Sequence, residues 1–193
     1  MQKIILASQS PRRKQLLEWA EVPFEVLVKE TDESYPENLT IEAVAIHIAR
    51  NKALAVKTTV VSENYGSLIN APILAADTIV VLNNEVIGKP KDRQAAINIL
   101  SRLSGHQHLV ITGVVILHGD KEIVFADTTT VWFHELSQAQ IEFYVDKYQP
   151  YDKAGAYAIQ EWIGVVGIRS VNGDFYNVMG LPVSRVVQAL QNL

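Results

Sequence analysis

Five stretches of this 193-residue chain carry side chains able to do chemistry. The first is SQSPRR, Ser8 to Arg13, which follows the apolar run Ile4 to Ala7 and precedes Leu16, Leu17 and Trp19. Ser10 is a favoured N-cap residue and Pro11 suits the first helical position, so the spacing predicts a helix start. Arg12 and Arg13 then fall in the first turn. The macrodipole is already positive there, and each cation is disfavoured by about 0.3–1 kcal/mol. Free amides, the hydroxyls of Ser8 and Ser10 and two guanidiniums together make an anion site, and arginine matches phosphate oxygens bidentately. A polyphosphate would supply the missing negative charge. The competing reading is a capped surface helix with solvated arginines. Neither GxxxxGK[ST] nor GxGxxG is present.

The second stretch is AADTIVV, where Asp77 interrupts the apolar run Ile73 to Leu82. A carboxylate inside a buried strand is costly unless paired or metal-bound. An ordinary aspartate is also a weak base at neutral pH, so Asp77 calls for burial or a metal-bound water. The plainer reading is an aspartate at a strand end, bonding backbone amides. GKPKD, residues 88–92, places Lys89 where it can reach phosphate or orient Asp77, or simply lie exposed in a loop. ETDE, residues 30–33, groups three carboxylates of the kind hard divalent cations favour, of which one or two can face a site; a solvated acidic loop is the alternative. In YDKAGAYAIQ, residues 151–160, small residues permit close backbone approach to a ligand. Gln160 can donate and accept at a base edge, and a tyrosine can stack on a base. A loop packed tightly against a sheet is the alternative.

The elements that must position these residues can be read from periodicity. Strands are predicted at 3–7, 24–28 and 73–82, with an acidic loop at 29–38. Helices are predicted at 11–20, 40–57 and 92–103, and residues 58–71 read as a polar connection. Asn83-Asn84 reads as a hairpin turn returning through EVIG. HLVITGVVIL and EIVFADTTTVWF read as strands joined by HGDK. SQAQ, residues 137–140, is a capping box before the helix IEFYVDKY. VVGIRSV, the Asn172-Gly173 turn and DFYNVM read as a further hairpin, and residues 183–192 as the last helix. Early alternation of strands and helices with later hairpins predicts an α/β fold with a mixed sheet.

Composition narrows the function. A net charge of −4 argues against a dedicated nucleic-acid binder. With no cysteines, disulfides and thiolate chemistry are excluded. No 18-residue apolar run or signal-like segment occurs, so the expectation is a soluble, cytoplasmic protein without membrane attachment. The five histidines lack metal-site spacing, and His106 and His108 read as surface or packing residues.

The stretches also occur in a familiar order. LASxSPRRxxLL at 6–17, DE at 32–33, NKA at 51–53, ADT at 76–78, GKPxD at 88–92, LSGxxH at 103–108, DKAGAYxIQ at 152–160 and NVMGLP at 177–182 run collinearly through almost the whole chain. In this the chain resembles the Maf family of nucleoside triphosphate pyrophosphatases. The resemblance implies one Maf-like domain over residues 1–193. Its fold would be like that of the inosine triphosphate pyrophosphatases: an elongated mixed sheet flanked by helices, with a central cleft between two lobes. It implies hydrolysis of a small-molecule nucleoside triphosphate between the α and β phosphates with a divalent cation, Mg or Mn. Homodimers are common in the family, while the charge balance already gives the expectation of no nucleic-acid partner.

Residue by residue, the resemblance matches Ser8, Ser10, Arg12, Arg13, Lys52 and Lys89 to substrate ligands and Asp77 to the catalytic carboxylate. Glu33, with Asp77, matches the metal-binding acids. Arg12, Thr78 and Gln160 are similar to the branch acting on dTTP and UTP rather than the one acting on 7-methyl-GTP. Glu161 and Trp162 stand where that branch leads us to expect smaller residues. A nucleotide-binding regulator of septum formation without relevant catalysis is the alternative from another class.

Overall fold

The computed structural model describes residues 2–63 and 65–193, Ser67 by its backbone alone. Strands β1 (Ile4–Leu6), β2 (Phe24–Val26), β3 (Ile73–Leu82), β4 (Glu85–Ile87), β5 (Gln107–His118), β6 (Lys121–Phe133) and β7 (Ile168–Asn172) form a seven-stranded sheet. Its order is β2-β1-β3-β5-β6-β7, with β4 paired to β3. β1 is parallel to both β2 and β3, whereas the β3–β4 and β6–β7 pairs are antiparallel. Helices α1 (Pro11–Trp19), α2 (Ile41–Ser62), α3 (Arg93–Leu103), α4 (Gln138–Tyr148), α5 (Trp162–Gly167), α6 (Phe175–Met179) and α7 (Val183–Gln191) flank it. The mixed α/β architecture is therefore as expected. No helix among the described residues is long and apolar enough to cross a membrane.

The chain divides into two compact units. The first comprises Met1–Asp77, Thr112–Asp127 and Gly180–Leu193. All three residues of β1 are fully buried, as an inner parallel strand must be. Ile5, Ala49, Ala53, Val56, Ile73 and Val115 build the core here. Gly113 decides how α2 sits on β5. A Cβ at that position would lie 2.4 Å from the Ala45 and Ile46 backbone, so no other residue fits. The approach also fixes Lys52, two turns further along α2.

The second unit comprises Thr78–Ile111 and Thr128–Met179. Asn83 and Asn84 turn β3 into β4 with φ of 51° and 65°, the left-handed pair that a two-residue hairpin requires. His108, Phe133 and Tyr157 meet edge-to-face with ring centroids 5.0–5.4 Å apart. Gly155, at φ +70°, lets the 154–156 turn lie on β3, where a Cβ would come within 2.9 Å of Val80. The capping box of α4 forms as expected, with Ser137 and Gln140 bonding each other's backbone amides at 2.9 and 3.3 Å.

Three predicted elements differ. The first three residues of the predicted strand VVGIRSV are the end of α5, and β7 begins at Ile168. α2 runs to Ser62, five residues past its predicted end, because Val56, Thr59 and Val60 continue the buried face. The connection predicted at 58–71 is therefore helical at its start, and Asn64 within it lies outside the described residues. The hairpin predicted around Asn172-Gly173 does not form. β7 pairs back onto β6, and DFYNVM becomes α6. Asp174 caps that helix through Tyr176 N at 2.8 Å. Asn177 is fully buried and donates its amide to Val110 O at 3.1 Å and Thr129 Oγ1 at 3.0 Å. A helical turn delivers that side chain to both acceptors, and this tertiary demand outweighs the local turn signal.

Candidate active site

In the first unit, β1 ends at Leu6 and the chain turns through Ser8 and Ser10 into α1. Ser10 caps the helix, its Oγ accepting from Arg13 N at 3.5 Å. Ser8 Oγ lies beneath, accepting from Ser10 N at 3.2 Å and from Arg13 Nη1 at 3.1 Å. Arg13 is buried and donates Nε–H to Gly180 O at 2.7 Å. Burial lowers its guanidinium to about 10, with Asp77 pulling the other way, so it stays charged at neutral pH. The two adjacent arginines thus differ in setting: Arg13 braces the loop against Gly180, whereas Arg12 is half-buried at its side.

A second cluster completes this unit. Lys52 Nζ lies 2.7 Å from Asp77 Oδ1 and 2.8 Å from Glu33 Oε1. Asp77 is 15% exposed and Glu33 54%, so the pair spans the boundary between interior and water. Asp77 Oδ2 has no hydrogen bond among the described residues, which leaves that oxygen to a water or ligand. The carboxylates of Asp77 and Glu33 are also the acids whose charge reaches Arg13. Three cations and two carboxylates leave this group one positive charge within a chain of net −4. The α1 N-terminus adds its own partial positive charge.

This arrangement can hold a polyanion beside a carboxylate placed to handle a proton. The Maf-like protein family matches the chain over residues 3–193. The chain belongs to the Maf family. It is 46% identical over 191 residues to the dTTP/UTP pyrophosphatase of Parabacteroides distasonis, covering 98% of this chain and 95% of that protein. The dTTP/UTP pyrophosphatase of Cytophaga hutchinsonii is likewise 46% identical over 190 residues, covering 98% and 84%. That of Bacteroides fragilis is 44% identical over 192 residues, covering 99% and 96%. Among solved structures, the Staphylococcus aureus Ham1 protein has the same fold, with a TM-score of 0.51 at 18% identity over 99% of this chain and 98% of that one.

The remaining Maf motif residues lie in the second unit. Thr78 follows Asp77 on β3 and is half-buried. Lys89 is exposed and forms no ion pair among the described residues. Its loop meets the DKAGAYAIQ stretch where Gly155 N donates to Gly88 O at 3.3 Å. Gln160 is exposed at the end of that stretch. Tyr157 is buried and bonds His108 Nε2 at 2.8 Å, so it is a packing residue rather than a platform for a base.

The ETDE loop separates into distinct roles. Asp32 closes a local turn, accepting from Ser34 N at 2.9 Å and Ser34 Oγ at 2.6 Å, and those two bonds hold its carboxyl below the usual range. Glu33 is the acid that reaches Lys52. Sequence reasoning did not single out Gly180, Tyr144 or Lys153 as parts of a site. Gly180 contributes a carbonyl, which no residue type signals. Lys153 had a signal, as a charged residue among small buried ones in a family motif.

Proposed function

We propose that this chain is a nucleoside triphosphate pyrophosphatase that hydrolyses dTTP and UTP to the monophosphate and pyrophosphate. The observation that carries this reading is the end-to-end match to relatives of that name at 43–46% identity. The geometry supports it, because Asp77 bonds Lys52 at 2.7 Å and its charge reaches the buried arginine of the anion loop.

In the reaction, the oxygen of water bonds to the α-phosphorus as the bond from that phosphorus to the α–β bridging oxygen breaks. Pyrophosphate leaves with the electron pair. Asp77 orients the attacking water and accepts its proton at Oδ2, while Lys52 holds Oδ1 so that the second oxygen is aimed. Ser8, Ser10, Arg12 and the α1 amides bind triphosphate oxygens, with Lys89 as a further cation for the developing charge. Arg13 keeps the loop in shape from beneath. Thr78 and Gln160 bind substrate, Gln160 pairing with the edge of a pyrimidine that both donates and accepts.

Glu33 and Asp77 fit a small divalent cation, magnesium or manganese. Both acids bond Lys52 Nζ, at 2.8 and 2.7 Å, so the ammonium holds the point they share and an ion would bind beside it; among the described residues no group of three or more His, Cys, Asp or Glu forms a dedicated cage. Such cations take one or two carboxylates and complete their shell with phosphate and water. When bound, the ion would neutralise phosphate charge and polarise the α-phosphorus.

Pyrophosphate release measured across a panel of nucleoside triphosphates with Mg²⁺ tests the proposal. Turnover should be fastest with dTTP and UTP. No release from any nucleotide, with binding retained, would favour the non-catalytic regulator. Equal release from purines and pyrimidines would remove the role given to Gln160.

A further inference from the structure

The turn that carries Gln160 is fastened from both sides. Ala158 to Glu161 is closed by Glu161 N donating to Ala158 O at 3.1 Å, which makes Ile159 and Gln160 its central residues. Ile159 is buried and Gln160 is exposed. Behind the turn lies Gly164 of α5, where a Cβ would fall 1.7 Å from Ile159 O, so turn and helix touch backbone to backbone. Tyr144, fully buried on α4, reaches the same turn. Its hydroxyl accepts from Ala158 N at 3.2 Å and donates to Glu161 Oε2. One hydroxyl therefore ties the residues on either side of the two central positions. The carboxylate of Glu161 is balanced by Lys153, 8% exposed, whose Nζ lies 3.7 Å from Glu161 Oε1 and 2.7 Å from Asp152 Oδ1.

We propose that Tyr144 and Glu161 are positioning residues for nucleobase specificity, holding the Gln160 turn so that its amide meets a base in one orientation. This rests on the reading of Gln160 given above. The ring of Tyr144 is packed by stacking on Tyr148 at 5.0 Å, so a phenylalanine fills the same volume and only the hydroxyl is removed. A turn free to shift no longer presents the Gln160 side chain to a base from one fixed position. A group held by two bonds loses about tenfold in effective affinity when one is removed. Glu161 also explains why a large acid is accepted where a smaller residue is expected: it is a strut inside the turn.

The test compares UTP and ATP turnover in Tyr144→Phe, Gln160→Ala and the double variant. Inhibition by tripolyphosphate, which has no base, reports on the phosphate site separately. Tyr144→Phe should raise KM for UTP about tenfold, leave kcat within about twofold and narrow the UTP-to-ATP ratio. Tripolyphosphate inhibition should not move. In the Gln160→Ala background, Tyr144→Phe should add nothing further. An unchanged UTP-to-ATP ratio in Tyr144→Phe, with that ratio lost in Gln160→Ala, overturns the clamp. An unchanged ratio in Gln160→Ala instead overturns the base-reading role itself. A shift in tripolyphosphate inhibition also overturns the clamp, because the effect is then general. Should Tyr144→Phe not fold, Glu161→Gln and Glu161→Ala carry the test. The glutamine keeps an acceptor for the hydroxyl and should preserve the ratio; the alanine should narrow it, and equal ratios in the two would sink the proposal.

Discussion

Lys52 and Lys153 are each held between two carboxylates, one lysine in each unit, yet the settings differ. Lys52 bonds two acids from distant parts of the chain, at 2.7 and 2.8 Å, and one oxygen of Asp77 is left for chemistry. Lys153 bonds its own neighbour Asp152 closely and reaches Glu161 at 3.7 Å. Glu161 is in turn taken up by a buried tyrosine hydroxyl. The first network ends on a group that can act, whereas the second ends on backbone and ring. On the proposed function, the same charge pattern serves as reactive machinery in one unit and as scaffold in the other, according to what the acids reach beyond the lysine.

The sharpest way to break that contrast is Asp77→Asn. It keeps size and hydrogen bonding but removes the proton acceptor, so turnover should fall by about 10³-fold or more with nucleotide binding retained. Pyrophosphate release and nucleotide binding measured on the same preparation would show it. Full release would remove Asp77 from the chemistry.

Exchanging each lysine for methionine comes next. Lys52→Met should lower turnover by about 10²-fold, since Asp77 loses the contact that aims it. Its stability should also fall, by about 3 kcal/mol, because Asp77, only 15% exposed, loses its balancing charge, whereas Glu33, 54% exposed, can return to water. Lys153→Met should cost similar stability but spare turnover. Glu161, only 22% exposed, would lose its balancing charge, costing about 3 kcal/mol in a urea titration. Turnover at saturating UTP should stay within about twofold of the unmodified protein. Equal turnover losses in the two variants would erase the distinction between machine and scaffold.

The contrast also governs what can be read from sequence. Local chemistry was legible: the bounds of β3, the Asn83-Asn84 turn and the α4 capping box each follow from residues adjacent in the chain. Asp77 could be picked out because a charge inside an apolar strand needs a partner, whereas Lys52 entered only through the family resemblance. The burial of Arg13 could not, because its partner is a carbonyl 167 residues away. The Tyr144–Glu161 bond was hidden for a related reason, since a tyrosine on an apolar helix face reads as core until its hydroxyl is located. The same holds for α6, where Asn172-Gly173 reads as a hairpin turn but the buried Asn177 amide requires a helix.

An acid titration sharpens the comparison further. Burial lowers His108 to about 4, against a weaker upward pull from the His106 backbone. The unfolded chain takes up this proton first, near its ordinary value of about 6.5. Stability contributed by neutral His108 is therefore complete above about pH 6.5 and is lost as pH falls toward about 4, a total of about 3 kcal/mol. Urea midpoints at pH 7 and pH 4.5 should differ accordingly, and His108→Gln should flatten the difference. A slope that survives the substitution would place the acid sensitivity in another group.

The smallest effect separates two serines with the same local role. Ser10 caps α1 and Ser137 caps α4, each accepting from the amide three residues on, at 3.5 and 3.3 Å. Replacing either with alanine should cost about 1 kcal/mol of stability, because each frees one helix amide. Ser137→Ala has no route to the substrate, and its kinetics should match the unmodified protein. Ser10 also shapes the loop in which Ser8 receives both the Ser10 amide and Arg13 Nη1. Ser10→Ala should therefore raise KM for UTP about threefold or more and weaken tripolyphosphate inhibition in parallel, since the loss lies at the phosphates and not at the base. Matched stability with unmatched kinetics is the signature of a cap that is also a ligand. Matched kinetics would make Ser10 a cap alone and leave the anion loop to Ser8, Arg12 and the helix amides.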